Sequence, residues 1–248
     1  MATRRQLLLV GGGAALWVGG FRALPHLRDR LAGFEFVDLD RPDGFRRLAS
    51  GGGTTSSGGG FDFMVGLDPT DPLPLGLMKE IADAPRDALF DGSASQATSV
   101  AYFFDYYCPY CRILSGHLES LVAAGEIDLT YHHWPIFGEA SDIAARAVIA
   151  AEFGGNATSL HDRLKQTAMR VTPRNMEELT EDLGLSWPDI ARVMKTPAVT
   201  MALERTRALS RLFGLIGTPA LVVGRTLVQG EIGEGRLRAL ARLEREEA

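Results

Sequence analysis

The sequence is poor in cysteine, with two cysteines in 248 residues, and this scarcity excludes a fold held together by a disulfide network. It also lacks an excess of positive charge, because 26 lysines and arginines face 31 aspartates and glutamates and leave a net charge of −5. Without a basic surface to gather phosphates, nucleic acid is excluded as a primary partner. Hydrophobic residues make up 46% and charged residues 23%, both typical of a folded domain rather than a disordered chain.

Long apolar runs are also scarce, and the longest extends from Leu7 to Phe21. At about fifteen residues it would form a helix of about 22 Å, which is short for a bilayer core of about 30 Å. The paired Arg4 and Arg5 before it are typical of a twin-arginine export signal. Residues 1–22 are therefore predicted to be a signal peptide or a membrane anchor, the alternative being a buried or frayed amphipathic N-terminus. The predicted location is the periplasm, soluble after cleavage or anchored to the inner membrane.

Composition divides the remaining chain into three parts. Residues 23–60 form a polar segment that ends in a glycine- and serine-rich linker at residues 50–60. Residues 61–94 are rich in proline and aspartate and are predicted to be an arm that wraps onto the domain, with one short helix near residues 77–81. Residues 95–248 carry the regular patterns of a folded α/β domain.

Hydrophobic periodicity predicts the elements of this domain. Ser141 is the expected N-cap of the first helix in a long helical block. The predicted elements are a strand at 100–106, a helix from 111, a strand at 127–131, the helical block at about 139–213, strands at 220–223 and 226–228, and a helix at 235–247.

Cys108 and Cys111 form a C-x-x-C pair at the junction between the first predicted strand and the following helix. Disulfide exchange needs a thiolate, and the unpaired N–H groups at a helix N-terminus lower the pKa of a thiol placed there. Cys108 is therefore predicted to be the accessible nucleophile and Cys111 the inward-facing thiol that resolves a mixed disulfide. Pro109 suits the first helical turn, and Pro109 and Tyr110 together are expected to tune the pair.

Other interpretations of these residues are weaker. Half of a zinc site and a chance pair are both disfavoured, because the five histidines lack zinc-ligand spacing, and no metal or cofactor is predicted. Asp105 could handle the proton of Cys111, but a solvated or capping acid is favoured. His132 and His133 are expected at the rim and Trp134 in the core, and none of the three is assigned a catalytic role.

The segment from Phe103 to Cys111, F-F-D-Y-Y-C-P-Y-C, resembles the active-site segment of the DsbA-like branch of the thioredoxin superfamily. Gly217-Thr218-Pro219 is similar to the G-T-P strand start of that family. The resemblance extends from about residue 99 to the C-terminus and implies a thioredoxin-like fold with an inserted helical block. It also implies that Pro219 is cis, beside the sulfurs, and that Thr218 and Pro219 offer backbone to a substrate peptide. The alternative is a trans proline that merely starts a strand.

Two positions depart from the best-known members of this family. They carry a buried acid six residues before the first cysteine, where this chain has Tyr102, and their dipeptide often contains histidine, where this chain has Pro109 and Tyr110. Both departures argue against a very strongly oxidising pair.

The resemblance implies an exported thiol–disulfide oxidoreductase that introduces or exchanges disulfides in exported, cysteine-containing proteins. Its recycling would need a membrane partner, either a quinone-linked oxidase or a thiol reductase. Three alternatives remain open: an isomerase or reductase that uses the same thiols, a non-catalytic, chaperone-like peptide-binding module, and a metal carrier that uses both thiolates.

Overall fold

The computed structural model describes residues 33–49, 73–90, 96–155, 157–166 and 171–248. The predicted signal or anchor at residues 1–22 and the glycine- and serine-rich linker at residues 50–60 lie outside these ranges. In the described part of the chain, no helix is both long enough and apolar enough to cross a membrane.

One mixed sheet forms the centre of the described structure. Its strands are β1 (Phe36–Asp38), β2 (Arg46–Leu48), β3 (Thr98–Phe104), β4 (Ile127–His133), β5 (Ala220–Val223) and β6 (Thr226–Gln229). They lie in the order β1–β2–β6–β5–β3–β4. β4 runs parallel to β3 and β2 runs parallel to β6, whereas β5 is antiparallel to both of its neighbours.

Helices cover both faces of the sheet. They are α1 (Leu75–Asp83), α2 (Pro85–Leu89), α3 (Pro109–Ala123), α4 (Glu139–Glu152), α5 (Ala157–Gln166), α6 (Pro173–Asp182), α7 (Trp187–Val193), α8 (Pro197–Leu212) and α9 (Glu234–Glu246). The predicted α/β fold and its element order are confirmed, with the helical block α4–α8 inserted between β4 and β5.

Alternation along β3 divides the core into two clusters. Val100, Tyr102 and Phe104 face one cluster, which includes the buried leucines of α3. Ala101 and Phe103 point the other way and pack in a second cluster with residues of α8. Because both faces of β3 are covered, its sequence is a continuous apolar run rather than an alternating one.

Several boundaries differ from the sequence predictions, and β3 occupies Thr98–Phe104 rather than residues 100–106. β4 extends to His133, two residues beyond the predicted strand. The expected N-cap at Ser141 is wrong: α4 begins at Glu139 with Gly138 as its N-cap residue, and Ser141 lies inside the first turn. Its hydroxyl bonds to the Asp105 carboxylate instead of capping its own helix.

The segment interpreted as polar, residues 23–60, contributes two strands to the sheet that the sequence analysis did not predict. β2 pairs with β6, with Arg46 opposite Thr226. The Arg46 guanidinium donates to Glu244 Oε1 at 2.6 Å and to Thr226 Oγ1 at 2.9 Å. Glu244 is buried and also accepts from the Arg225 N–H at 2.8 Å. This ion pair attaches the N-terminal hairpin to α9 and β6.

The described part of the predicted arm, residues 73–90, packs on the sheet through α1 and α2. The short helix expected near residues 77–81 is present within α1. Leu73, Ile81 and Leu89 are buried in the same cluster as Phe213. The rest of the arm, residues 61–72 and 91–94, lies outside the described residues.

Replacing Arg46 by alanine is expected to destabilise the protein by about 3 kcal/mol, because Glu244 would keep its buried charge without a cation. Denaturant unfolding of the two proteins measures the difference. The control is Arg192→Ala, which removes an exposed pair with Asp189 and is expected to cost less than about 0.5 kcal/mol. Equal stabilities of Arg46→Ala and the unmodified protein would show that the hairpin contributes nothing to the fold.

Candidate active site

The two cysteines lie where β3 passes into α3. Cys108 is the N-cap residue of α3 and Pro109 occupies its first helical position, where the missing N–H leaves no bond unmade. The Cys108 sulfur accepts a hydrogen bond from the backbone N–H of Cys111 at 3.3 Å. The sulfur thus takes the place of a capping oxygen and lies against the positive end of the helix.

The Gly217-Thr218-Pro219 segment meets the C-x-x-C segment at the Cys108 sulfur. The Cys108 thiol donates to the carbonyl oxygen of Thr218 at 3.3 Å, and the Thr218–Pro219 peptide bond is cis. The sheet brings these two segments together although 110 residues of chain separate Cys108 from Thr218. β5 is antiparallel to β3 with Ala220 opposite Phe103, so the residues just before β5 lie beside the residues just after β3.

The two thiols have opposite electrostatic environments. The Cys111 thiol donates to the Cys108 sulfur and, aided by backbone N–H groups, lowers the pKa of Cys108 from 9.0 to about 7 against the opposing effect of burial. Burial raises the pKa of Cys111 well above 9.0, and the neighbouring Cys108 adds to this rise. Cys108 therefore forms the thiolate near neutral pH while Cys111 keeps its proton.

Sequence analysis predicts an accessible Cys108, but the structure leaves only 1% of the residue exposed. Its sulfur lies between the Thr218 carbonyl and the first turn of α3, which cover it. The exposed surface nearby is apolar: Tyr110 and Ile113 belong to that first turn, and Ile216 to the segment leading to Thr218. Tyr110, Ile113, Ile216 and the exposed Phe137, before α4, are named here the apolar rim.

Asp105 differs most from its sequence-based interpretation. Of the favoured solvated or capping acid, the solvated form is wrong, because the residue is 1% exposed, whereas the carboxylate does accept backbone N–H groups. Its carboxylate accepts from the N–H groups of Tyr107 and Ile136, both at 2.7 Å, and of Phe137 at 3.3 Å, as well as from the Ser141 hydroxyl. Burial raises the pKa of Asp105 and these donors oppose the rise. The carboxylate joins the segment before Cys108 to the loop between β4 and α4.

The three tyrosines near the cysteines are anchors that the sequence analysis did not assign. The Tyr102 hydroxyl donates to the carbonyl of Cys111 at 2.8 Å. The Tyr106 hydroxyl lies 2.7 Å from Nδ1 of His161, whose pKa burial lowers to about 2, so the neutral ring accepts this bond. The Tyr107 hydroxyl accepts from the Val171 N–H at 2.7 Å. Tyr106 and Tyr107 thus tie the active-site segment to the helical block.

The histidines and the tryptophan that end β4 have packing roles. Trp134 is buried, as expected for a core residue. His132 and His133, expected at the rim, are buried as well. His132 stacks on Phe103 and bonds through Nε2 to the Leu89 carbonyl at 2.9 Å, while His133 stacks on Tyr106. Within the described ranges, no group of three or more histidine, cysteine or acidic side chains is placed to hold a metal ion.

Comparison with known proteins adds independent findings to this geometry. A sequence model of the DSBA-like thioredoxin domain matches residues 99–241, the range from β3 to the middle of α9. No curated protein sequence gives a match. A solved thioredoxin-like oxidoreductase from Silicibacter pomeroyi DSS-3 is similar, with 33% identity and a TM-score of 0.61, over 66% of this chain and 99% of that one.

Two further solved structures share this architecture. A periplasmic thioredoxin-like protein from Salmonella enterica serovar Typhimurium is 26% identical, with a TM-score of 0.53, over 64% of this chain and 91% of that one. The catalytic domain of Proteus mirabilis ScsC is 24% identical, with a TM-score of 0.58, over 68% of this chain and 98% of that one, a likeness of fold alone.

Titration of the reduced protein is expected to show one thiolate forming with a midpoint at pH about 7, the pKa of Cys108. Absorbance at 240 nm measures it. In Cys111→Ala the midpoint should rise, because the largest stabilising contact of the thiolate is lost. In Cys108→Ala no thiolate step should occur below pH 9, since burial keeps Cys111 protonated. A midpoint near 9 in the unmodified protein would contradict the proposed environment of Cys108.

Asp105→Asn should destabilise the protein by about 2–3 kcal/mol, because an amide presents only one accepting oxygen to donors that a carboxylate satisfies with two. Thermal or denaturant unfolding measures the loss. Asp142→Asn is the matched control, since Asp142 is half-exposed and forms an i,i+4 ion pair with Arg146 of its own helix. Similar stability changes in the two variants would show that the buried Asp105 carboxylate stabilises the fold no more than an exposed one.

Proposed function

This chain belongs to the DSBA-like thioredoxin domain family of thiol–disulfide oxidoreductases, and we propose that Cys108 and Cys111 are its catalytic pair and exported cysteine-containing proteins its substrates. The observation that carries the proposal is the set of contacts at the Cys108 sulfur. This sulfur caps α3, lies 3.3 Å from the Thr218 carbonyl and has a pKa lowered to about 7. A thiol so placed is the better leaving group and nucleophile of the pair near neutral pH.

In the oxidising direction the reaction begins with the Cys108–Cys111 disulfide. A substrate thiolate attacks the sulfur of Cys108, and Cys111 departs with the bonding electron pair and takes up a proton. A second substrate thiolate then attacks the substrate sulfur of the mixed disulfide, and Cys108 departs as a thiolate. The substrate gains a disulfide, and the enzyme is left with two reduced sulfurs. The low pKa of Cys108 favours this last departure.

The residues around the sulfur have distinct proposed roles. Pro109 and Tyr110 tune the pair, Pro109 through the helix start and Tyr110 through its backbone N–H, which lowers the pKa of Cys108, and through a side chain that adds no positive charge. Thr218 and Pro219 are proposed to bind an extended substrate segment through their backbone. The apolar rim supplies surface for the exposed hydrophobic side chains of unfolded substrates.

One observation favours the reducing or isomerising direction as a second candidate. Stabilisation of the thiolate favours the reduced form of the pair, so a lower pKa of the nucleophilic cysteine makes the pair more oxidising. The pKa of this cysteine is about 3.5 in strongly oxidising DsbA and about 7 in thioredoxin. The pKa of Cys108, at about 7, is similar to the second value. In this direction the pair starts reduced and the Cys108 thiolate attacks a substrate disulfide.

We place this activity in the periplasm, on the basis of the N-terminal sequence pattern and of the periplasmic relative from Salmonella enterica. The domain would be soluble after cleavage of residues 1–22 or held at the inner membrane by them. Turnover requires a membrane partner that restores the pair, a quinone-linked oxidase for the oxidising direction or a thiol reductase for the other.

Trapping in cells tests this function. In Cys111→Ala a mixed disulfide on Cys108 has no resolving thiol, so exported cysteine-containing proteins should accumulate on it and separate on reduction. Non-reducing electrophoresis and mass spectrometry of the released proteins give the readout. The double variant Cys108→Ala/Cys111→Ala should trap none. Equal recovery from both variants, or no recovery from the first, would favour the non-catalytic peptide-binding module.

A further inference from the structure

A polar stripe crosses the apolar interface between α3 and the sheet. Cys111, Ser115 and Glu119 follow one another at intervals of four residues, so they lie on one face of α3. On the sheet below, Tyr102 of β3 pairs directly with Tyr131 of β4. The stripe therefore begins at the resolving cysteine and ends at an acidic side chain on the surface.

Tyr102 and Tyr131 form the middle of the stripe. Tyr102 is fully buried, donates to the Cys111 carbonyl at 2.8 Å, and its ring lies 5.5 Å from that of Tyr131. The pKa of each phenol is raised, chiefly by burial, that of Tyr131 to about 12. Both hydroxyls therefore stay protonated at neutral pH and are able to pass a proton on by accepting one and donating another.

Ser115 is the residue that stability does not explain. Its hydroxyl is buried and lies within reach of both phenols, whose pKa it lowers, but its contacts with them are too poorly aligned to satisfy it fully. An unsatisfied buried hydroxyl costs about 1–3 kcal/mol, which alanine at this position would avoid. A polar group kept in an apolar interface at such a cost points to a role in the chemistry.

The far end of the stripe opens to solvent. Tyr131 lines a groove between α3 and α5 together with Glu119, Asp162 and Lys165. The Lys165 ammonium bonds to the carboxylate of Glu119 and to that of Asp162, and both carboxylates are half-exposed. Solvent reaches both carboxylates, so a proton that reaches Tyr131 has acceptors beyond it.

The resolving thiol needs such a route. Cys111 is fully buried, and burial holds its pKa well above 9.0, so its proton cannot pass directly to water. Asp105 is a poor alternative acceptor because its carboxylate already accepts four hydrogen bonds. The Tyr102 phenol lies beside the Cys111 thiol, which contributes to the rise in the pKa of that phenol.

We propose that the hydroxyls of Tyr102, Ser115 and Tyr131 form a proton relay between the Cys111 thiol and the groove at Glu119. This inference rests on the proposed function. When Cys111 resolves a mixed disulfide, its proton moves along the three hydroxyls to the Glu119 carboxylate and then to water. The Cys111 thiolate bonds to the Cys108 sulfur, and the partner leaves as a thiolate with the bonding electrons and takes a proton from water. In the reverse step the relay returns a proton to Cys111.

The test uses the reduced protein and oxidised glutathione in single turnovers, with acid quenching and mass spectrometry of the intact protein. Formation of the Cys108–glutathione disulfide reports the first step, which does not involve the proton of Cys111. Loss of glutathione as the Cys108–Cys111 disulfide closes reports the second. Ser115→Ala should leave the first rate within twofold and slow the second by about a hundredfold, the lower end of the range for assisted proton transfer. Tyr131→Phe should do the same.

Three comparisons separate the relay from a packing effect. Ser115→Thr keeps the hydroxyl and should restore the second rate, whereas Ser120→Ala, on the exposed side of α3, should change neither rate. In the unmodified protein the second step alone should be slower in D₂O. An unchanged second rate in both Ser115→Ala and Tyr131→Phe would overturn the relay. Failure of the glutathione adduct to form in the unmodified protein would instead overturn the proposed function.

Discussion

The structure depends on one contact, the Cys108 sulfur held between the first turn of α3 and the Thr218 carbonyl. Each side of this contact is weak by itself, since a thiol is a poor hydrogen-bond donor and acceptor. The sheet makes it reliable, because the antiparallel register of β3 and β5 fixes where the two segments end. The pKa difference between the two cysteines follows from this position: one sulfur receives donors, and the other is buried behind it.

The helical block takes part in holding this contact. Asp105, Tyr106 and Tyr107 are consecutive, and each reaches a different part of the chain: the loop between β4 and α4, helix α5, and the residue before Thr172 that leads into α6. Three consecutive residues with three separate attachments leave the backbone before Cys108 little freedom. The insertion between β4 and β5 therefore restricts the backbone of the active-site segment. Changes in the packing of this insertion should alter the environment of the Cys108 sulfur.

Sequence reasoning predicted what is encoded locally and missed what depends on distant partners. The apolar run of β3, the position of Pro109 and the spacing of the cysteines were sufficient to place Cys108 at a helix start. The strands β1 and β2 have three residues each, too few to show a period, and β2 is held by pairing with β6 about 180 residues away. Asp105 was misjudged for the same reason, since three of its four donors lie more than 30 residues downstream.

The different roles of the two thiols, one that forms the thiolate and one that stays protonated, have a structural cost in the core. Burial that keeps Cys111 protonated also removes it from water, so each turnover must move a proton through an apolar interface. A carboxylate there would have to be desolvated, whereas phenols and a serine hydroxyl are neutral and cost less to bury. Tyr102 opposite Tyr131, with Ser115 above them, is an arrangement of neutral hydroxyls that this constraint favours. The pKa of Cys108, about 7, is set mainly by hydrogen bonds to its sulfur, which outweigh the opposing effect of burial.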